Sequence, residues 1–260
     1  MGRHVARVES YAYAGLPAGT HTGMPSATLT LVIALDEPLE LSGGPLGLEH
    51  RRLGVSVAGL HTSPVTIHHD GRMRGMQLDL TPAGCRALLG CPAAELADRA
   101  QEGADVFGAL ADRIREQLHE TSDAARQLRV VAKEMGGTSG AAPMDDRLSR
   151  AWAHLETARG LVSVADLADD SGWSTRHFTQ RFTKEFGQGP KTMARIMRFE
   201  RSRAMVRHGI PAVDVASRCG YADQAHLVRE WRRLAVTTPG HWVPDELAFV
   251  QDEATAGGAA

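Results

Sequence analysis

"DLADDSGWSTRHFTQRFTKEFG", residues 166–187, holds a short helix-like run, a glycine at 172, a polar step at Ser174 and then Phe178 and Phe182 four residues apart. Thr, Gln, Arg and Lys surround the two aromatics. Taken alone, the stretch is an amphipathic helix with an ordinary wet face, or half of a device that reads DNA. A second stretch about 49 residues later, "DVASRCGYADQAHLVREWRRLA" (214–235), separates the two readings. Ala168 and Gly172 match Ala216 and Gly220, and Trp173 matches Tyr221. Phe178 and Phe182 match Leu227 and Trp231, Pro190 matches Pro239, and Met193 matches Trp242, with one extra residue in the second turn. Two copies of one supersecondary unit are present.

Each copy has the parts of a helix-turn-helix. The first helix ("VADLADDS"; "AVDVASRC") ends at a glycine that can adopt positive φ, and an alanine leaves room for the second helix to cross closely. The second helix starts at Ser174 or Asp223 as N-cap and buries an i, i+4 apolar pair. Its other face holds Arg176, Thr179, Gln180 and Arg181 in one copy, and Gln224, Ala225, Val228 and Arg229 in the other. Arg donates bidentately to guanine, Gln pairs with adenine, and Thr, Ala or Val touch a thymine methyl group. Arg201, Arg203, Arg207, Lys184, Arg232 and Arg233 are candidate phosphate ligands, which position a protein without reading sequence.

Charge is distributed in the same direction. The 260-residue chain has a formal net charge of −2, yet residues 150–244 carry 15 Arg and Lys against 9 Asp and Glu. A basic module is therefore balanced by an acidic remainder.

Residues 146–244 resemble the tandem helix-turn-helix domain of AraC/XylS-type transcriptional regulators, with "VADLADDSGWSTRHFTQRFTKEFGQGP" and "AVDVASRCGYADQAHLVREWRRLAVTTP" as the two motifs. One departure is that the phenylalanine pair usual in the second motif is Leu227 and Trp231 here. The resemblance implies two subdomains joined by one long helix, "PKTMARIMRFERSRAMVRHG", holding the recognition helices about one duplex turn, roughly 34 Å, apart. By motif matching, Arg176, Thr179 and Gln180, then Gln224, Ala225 and Arg229, take the base-reading positions. Ser174, Arg181, Lys184, Arg232 and Arg233 take phosphate positions. The implied partners are double-stranded DNA, a small-molecule effector, a second copy of the chain and, for an activator, RNA polymerase.

Upstream, residues 5–80 read as strands, including "ATLTLVIAL" (27–35) and "LGVSVAGL" (53–60), separated by Gly- and Pro-bearing turns. Helical signals follow: Thr81 as N-cap before Pro82 with Gly90 as stop, a stripe of Phe107, Leu110, Ile114 and Leu118, and "AARQLRVVAKEM". This order resembles the cupin-like sensing domains found ahead of such DNA-binding modules, and the 107–118 stripe is a candidate dimer seam or a face docked on its own barrel. The expected fold class is thus α+β. It comprises a β-rich cupin-like sensing and dimerisation domain (1–135), a flexible linker (136–145) around "GGTSGAAPM", an all-α DNA-binding domain (146–244) and a disordered tail (245–260).

Other chemistries have weaker support. His21, His61, His68 and His69 with Asp70 are metal-capable residue types, but they lack the HxH-then-Glu spacing of metal-binding cupins, so no metal and no cofactor are expected. The alternative class is a metal-dependent enzyme or binding protein whose C-terminal module only tethers it to DNA. No nucleophile–base set or phosphate-binding glycine loop stands out, so an enzyme is not expected. Cys85, Cys91 and Cys219, odd in number and without CxxC spacing, read as free thiols; the alternative is a thiol sensor at Cys85 and Cys91, six apart on an expected helix, though no neighbour in the sequence argues for a lowered pKa. "MGRHVARVES" has no apolar core or cleavage site, and no run is long enough to span a bilayer, so a cytoplasmic, nucleoid-associated protein is expected.

Overall fold

The structure, a computed structural model, describes residues 4–44, 48–136 and 142–242. Among the described residues eight strands come first, β1 Val5–Tyr13, β2 Gly19–Gly23, β3 Leu29–Ala34, β4 Leu39–Gly43, β5 Leu48–Leu53, β6 Val55–Ala58, β7 Val65–His69 and β8 Met73–Leu80, and a ninth, β9 Ala100–Glu102, follows a short helical stretch. They form a five-stranded sheet in the order β1-β8-β3-β6-β9 and a four-stranded sheet in the order β2-β7-β4-β5. Strand pairings among the described residues are antiparallel, with β3 at the centre of the larger sheet between β6 and β8.

Successive side chains of a strand point to opposite faces, and here the two faces of the larger sheet differ in chemistry. Leu29, Leu31, Ile33, Val55, Val57, Met76, Leu78 and Leu80 are buried in the main apolar core with Ile114, Leu118, Val131 and Met135 from the helices. The alternate residues Thr30, Val32, Ser56, Ala58, Gln77 and Asp79 face a cavity closed on its other side by the smaller sheet. The main core therefore lies between sheet and helices, and the space between the sheets is lined by small and polar groups from the larger sheet and by Leu39, Leu41, Val65 and Ile67 from the smaller one.

The helices are α1 Pro82–Gly84, α2 Gly103–Phe107, α3 Leu110–His119, α4 Ala124–Met135, α5 Asp146–Thr157, α6 Val164–Ser171, α7 Thr175–Phe186, α8 Pro190–Arg207, α9 Ala212–Arg218 and α10 Gln224–Ala235. Thr81 caps α1 by accepting from the Gly84 N–H, and the chain continues as a π-helical turn, Cys85–Leu89, that stops at left-handed Gly90. The helix expected across 105–120 breaks at Gly108, whose φ of 62° ends α2 before α3 begins. Leu110, Ile114 and Leu118 are buried within a single copy, so this stripe docks on its own barrel and is not a free dimer seam. Of the expected linker, residues 137–141 lie outside the described residues, as does the whole expected tail 245–260. No helix among the described residues is long and apolar enough to cross a membrane.

Candidate nucleic-acid interface

Both repeats fold as helix-turn-helix units, α6–α7 and α9–α10. Each first helix ends on a left-handed glycine, Gly172 at φ 69° and Gly220 at φ 70°. At Gly172 an added Cβ would meet nothing within 4 Å, so the backbone angle alone calls for glycine there. Ser174 Oγ accepts from the His177 N–H, and Asp223 Oδ1 from the His226 N–H, so both second helices begin at the expected caps. Phe178, Phe182 and Phe186 are fully buried on one face of α7 in a run of tilted rings, with Trp152 of α5 stacked on Phe182 and tilted against Phe186.

The second motif's departure from the phenylalanine pair has a local explanation. Trp231 is fully buried, donates from Nε1 to Ser202 Oγ at 2.9 Å, and meets Phe199 and Trp242 edge-on. A serine on α8 thus supplies both room and an acceptor for the indole. Helix α8 is buried on several sides, through Met193, Ala194, Ile196, Met197, Phe199, Ser202 and Val206. It packs on both units, and at the rise of an α-helix its 18 residues extend about 27 Å. Arg195 of α8 holds Glu230 of α10 bidentately at 2.8 and 2.9 Å, fixing the second recognition helix to the connector.

Opposite the buried faces, Arg176 and Gln180 are exposed one helical turn apart on α7, with half-buried Thr179 beside them. Gln224, Ala225 and Arg229 are exposed on α10, as are Lys184, Arg232 and Arg233 near the helix ends. Ser174 is exposed, and its oxygen is engaged as a cap. Arg181 lies over the Trp173 ring and reaches Asp145 at 3.4 Å, while Arg147 covers the same ring at 4.9 Å. Aligned on their N-caps, Arg176 corresponds to Ala225, Gln180 to Arg229 and Lys184 to Arg233.

The arginines on α8 are placed differently from the expectation. Arg203 and Arg207 face the intersheet cavity, Arg207 lies over Trp242, and Arg201 lines a cleft beside Ala27 and Glu156. The reason is that α8 packs against the β-domain as well as both units, so part of its polar face is turned toward the β-domain.

Three docking residues escaped the sequence reading. Glu185 of α7 is buried and ion-paired with Arg86 after α1, through Nε to Oε1 at 2.6 Å and Nη2 to Oε2 at 2.8 Å. Buried Gln188 donates to Asp98 at 2.7 Å. Gly187, at φ 78°, lies so close to Ala94 and Ala97 that no Cβ fits. A signal existed for the first: Glu185 occupies the repeat position that Leu234 fills in the second copy, a charge where the register predicts burial.

These paired, capped helices on one connector find counterparts in known proteins. Residues 167–244 match a family model described as a helix-turn-helix domain. This segment is an AraC-type helix-turn-helix domain. The chain is 30% identical over 66 residues to the uncharacterized HTH-type transcriptional regulator YbfI of Bacillus subtilis, covering 25% of this chain and 24% of that protein. It is 22% identical over 114 residues to the uncharacterized HTH-type transcriptional regulator SAS0078 of Staphylococcus aureus, covering 43% of this chain and 15% of that protein. The alignments thus span about a quarter or less of each relative's length. For the whole two-part fold, ToxT from Vibrio cholerae superposes with a TM-score of 0.53 at 9% identity, covering 91% of this chain and 96% of that one. A form of wild-type ToxT with a bound unsaturated fatty acid gives 0.52, also at 9% identity, covering 91% and 94%. The arrangement of a β-rich domain ahead of the AraC-type domain is shared with those structures.

A partly open cavity of about 480 Å³ lies between the two sheets and α8. Tyr11, Leu39 and Ile67 line it from the sheets, and Glu200, Arg203, Arg207 and Trp242 line it from the AraC-type domain. His21 and His61 also face it. Burial is the main cause of their lowered pKa values, with His69 adding to the effect on His21, which falls to about 4; both rings are neutral at neutral pH. His68 instead shares a 2.7 Å hydrogen bond with Ser42, and the His69 ring lies tilted beside that of His21, 5.8 Å between centroids. Among the described residues no group of three or more His, Cys, Asp or Glu side chains could hold a metal ion.

Proposed function

We propose that this chain is a sequence-specific DNA-binding transcription regulator that reads two adjacent major-groove segments with α7 and α10 and answers to a small molecule held between its β-sheets. The observation that carries the reading is the exposed Arg176–Gln180 pair on α7 repeated as Ala225–Arg229 on α10, each on a capped helix fixed to one connector. Arg176, Thr179 and Gln180, with Gln224, Ala225 and Arg229, contact base edges. Ser174, Arg181, Lys184, Arg232 and Arg233 contact phosphates, Arg181 after leaving Asp145.

The effector reading is supported by the cavity, whose wall is shared by the β-domain and α8, so that occupancy is felt at the connector of both readers. The fatty acid bound to ToxT, a protein of like fold, supports a small-molecule occupant. The division into a sensing domain (1–135) and a DNA-binding domain (146–244) follows, as do a cytoplasmic, nucleoid-associated location and a role that is not enzymatic. Self-association and, for an activator, contact with RNA polymerase complete the proposal; the seam uses a surface other than Leu110, Ile114 and Leu118.

Selection of bound fragments from a random duplex library with the full chain tests this. The expected product is one bipartite sequence with two elements about 10 base pairs apart. Recovery of unrelated sequences at a uniform low affinity would overturn it.

A further inference from the structure

Cys85 and Cys91 are six residues apart, yet their sulfurs lie 3.9 Å from each other. The π-helical turn Cys85–Leu89 and the reversal at Gly90, φ 79°, bring the chain back on itself, and Cys85 Sγ donates to the Cys91 carbonyl at 3.2 Å. The two thiols differ in access: Cys85 is buried, whereas Cys91 is half-exposed. They differ also in chemistry. The Cys85 proton, turned from the Cys91 carbonyl to the Cys91 sulfur, favours the Cys91 thiolate; the Arg86 guanidinium adds to that preference while burial and Glu95 oppose it, and the Cys91 thiol is held below its ordinary value. The same hydrogen bond and burial push the Cys85 thiol up. Cys219 offers an internal contrast, since it is buried beside Met205 sulfur at 3.6 Å with its thiol pushed up by burial.

From this geometry we infer that Cys85 and Cys91 form a modification site for hydroperoxide-class oxidants, closing to an intramolecular disulfide that disturbs the hold of Arg86 on α7. With hydrogen peroxide, the Cys91 thiolate attacks one peroxide oxygen. An S–O bond forms, the O–O bond breaks, and the leaving hydroxide takes a proton to become water, leaving a sulfenic acid. The Cys85 sulfur, losing its proton, then attacks the Cys91 sulfur; the S–S bond forms, and the sulfenic oxygen leaves with that proton and its own as a second water. Two thiols are oxidised by two electrons in all, and one peroxide is reduced to two waters.

Closing the pair draws the sulfurs from 3.9 Å to about 2.05 Å. The segment that must shift carries Arg86, whose guanidinium grips Glu185 and also donates to the Ala142 carbonyl at 2.9 Å. A redox event at the foot of the β-domain thereby reaches the C-terminal end of the first recognition helix.

The test exposes the full chain to hydrogen peroxide, with and without later dithiothreitol, and follows intact mass, free thiols and amide hydrogen exchange. Wild type and Cys219→Ser are expected to lose roughly 2 Da and two free thiols, reversibly, with a peptide cross-linked between 85 and 91. Cys91→Ser, which alters the half-exposed partner and leaves the buried one in place, is expected to form no such cross-link. The disulfide form is expected to exchange faster at residues 185–188. Retention of all three thiols in wild type, or the same mass loss in Cys91→Ser, overturns the site. Unchanged exchange at 185–188 in the disulfide form overturns its coupling to α7.

Discussion

Arg86 and Glu185, 99 residues apart, form a bidentate ion pair at 2.6 and 2.8 Å across the boundary between the β-domain and the first recognition helix. Both side chains are mostly shielded, at 20% and 10% exposure, so the pair holds position in a way that surface pairs do not. Glu185→Ala leaves the guanidinium short of its acceptors, with an expected loss of about 1–3 kcal/mol of stability. Thermal and urea unfolding measure that loss. A double-mutant cycle with Arg86→Ala should show strong coupling, whereas additive effects would mean the pair contributes nothing as a pair.

Val236 occupies the position that Gly187 fills in the first repeat, and it takes the same left-handed conformation at φ 56°. A β-branched residue pays steric strain there, and its side chain is 76% exposed, so little packing offsets the cost. Val236→Gly is expected to stabilise the chain by about 1 kcal/mol, partly reduced by the greater freedom of glycine in the unfolded state. A higher urea midpoint checks this; a lower one contradicts it.

Glu200 of α8 sits where that helix meets Ala27 of the β-domain, and burial raises its pKa to about 7, with Arg203 opposing the rise and Asp79 and Glu156 adding to it. Between about 4.5 and about 7 the folded chain keeps a proton that the unfolded chain has released. Stability from this group therefore falls as pH rises through that window. Glu200→Gln, neutral at every pH, is expected to flatten that slope and to raise the unfolding midpoint most above pH 7. Urea titrations across the window measure it, and an unchanged slope would contradict the assignment.

The tandem repeat was legible because helix-turn-helix units are specified locally. Ser174, Asp223, Gly172 and Gly220 are caps and turns whose neighbours in sequence are their neighbours in space, and Phe178 and Phe182 share a face by helical period. Thr81 and Gly90 were legible for the same reason. The orientation of Arg203 and Arg207 was not, because a helix packed on three bodies has no simple wet face and its pattern names no partner. Gly108 broke an apolar stripe that periodicity carried straight through. The Arg86–Glu185 contact depends on docking between distant segments, though comparing Glu185 with Leu234 would have marked the position as unusual. Cys85 and Cys91 meet through a π-helical turn, and regular helical spacing does not anticipate that meeting.

The central claim is that α7 and α10 read bases. Its most direct measurement is the affinity of wild type, Arg176→Ala and Arg229→Ala for a selected duplex and for every single-base-pair variant of it, at one salt concentration. Arg176→Ala is expected to lose about 1–3 kcal/mol of discrimination at one position in one half of the site, and Arg229→Ala at a position in the other half about 10 base pairs away. Both variants binding every duplex with the same preferences as wild type would contradict the account.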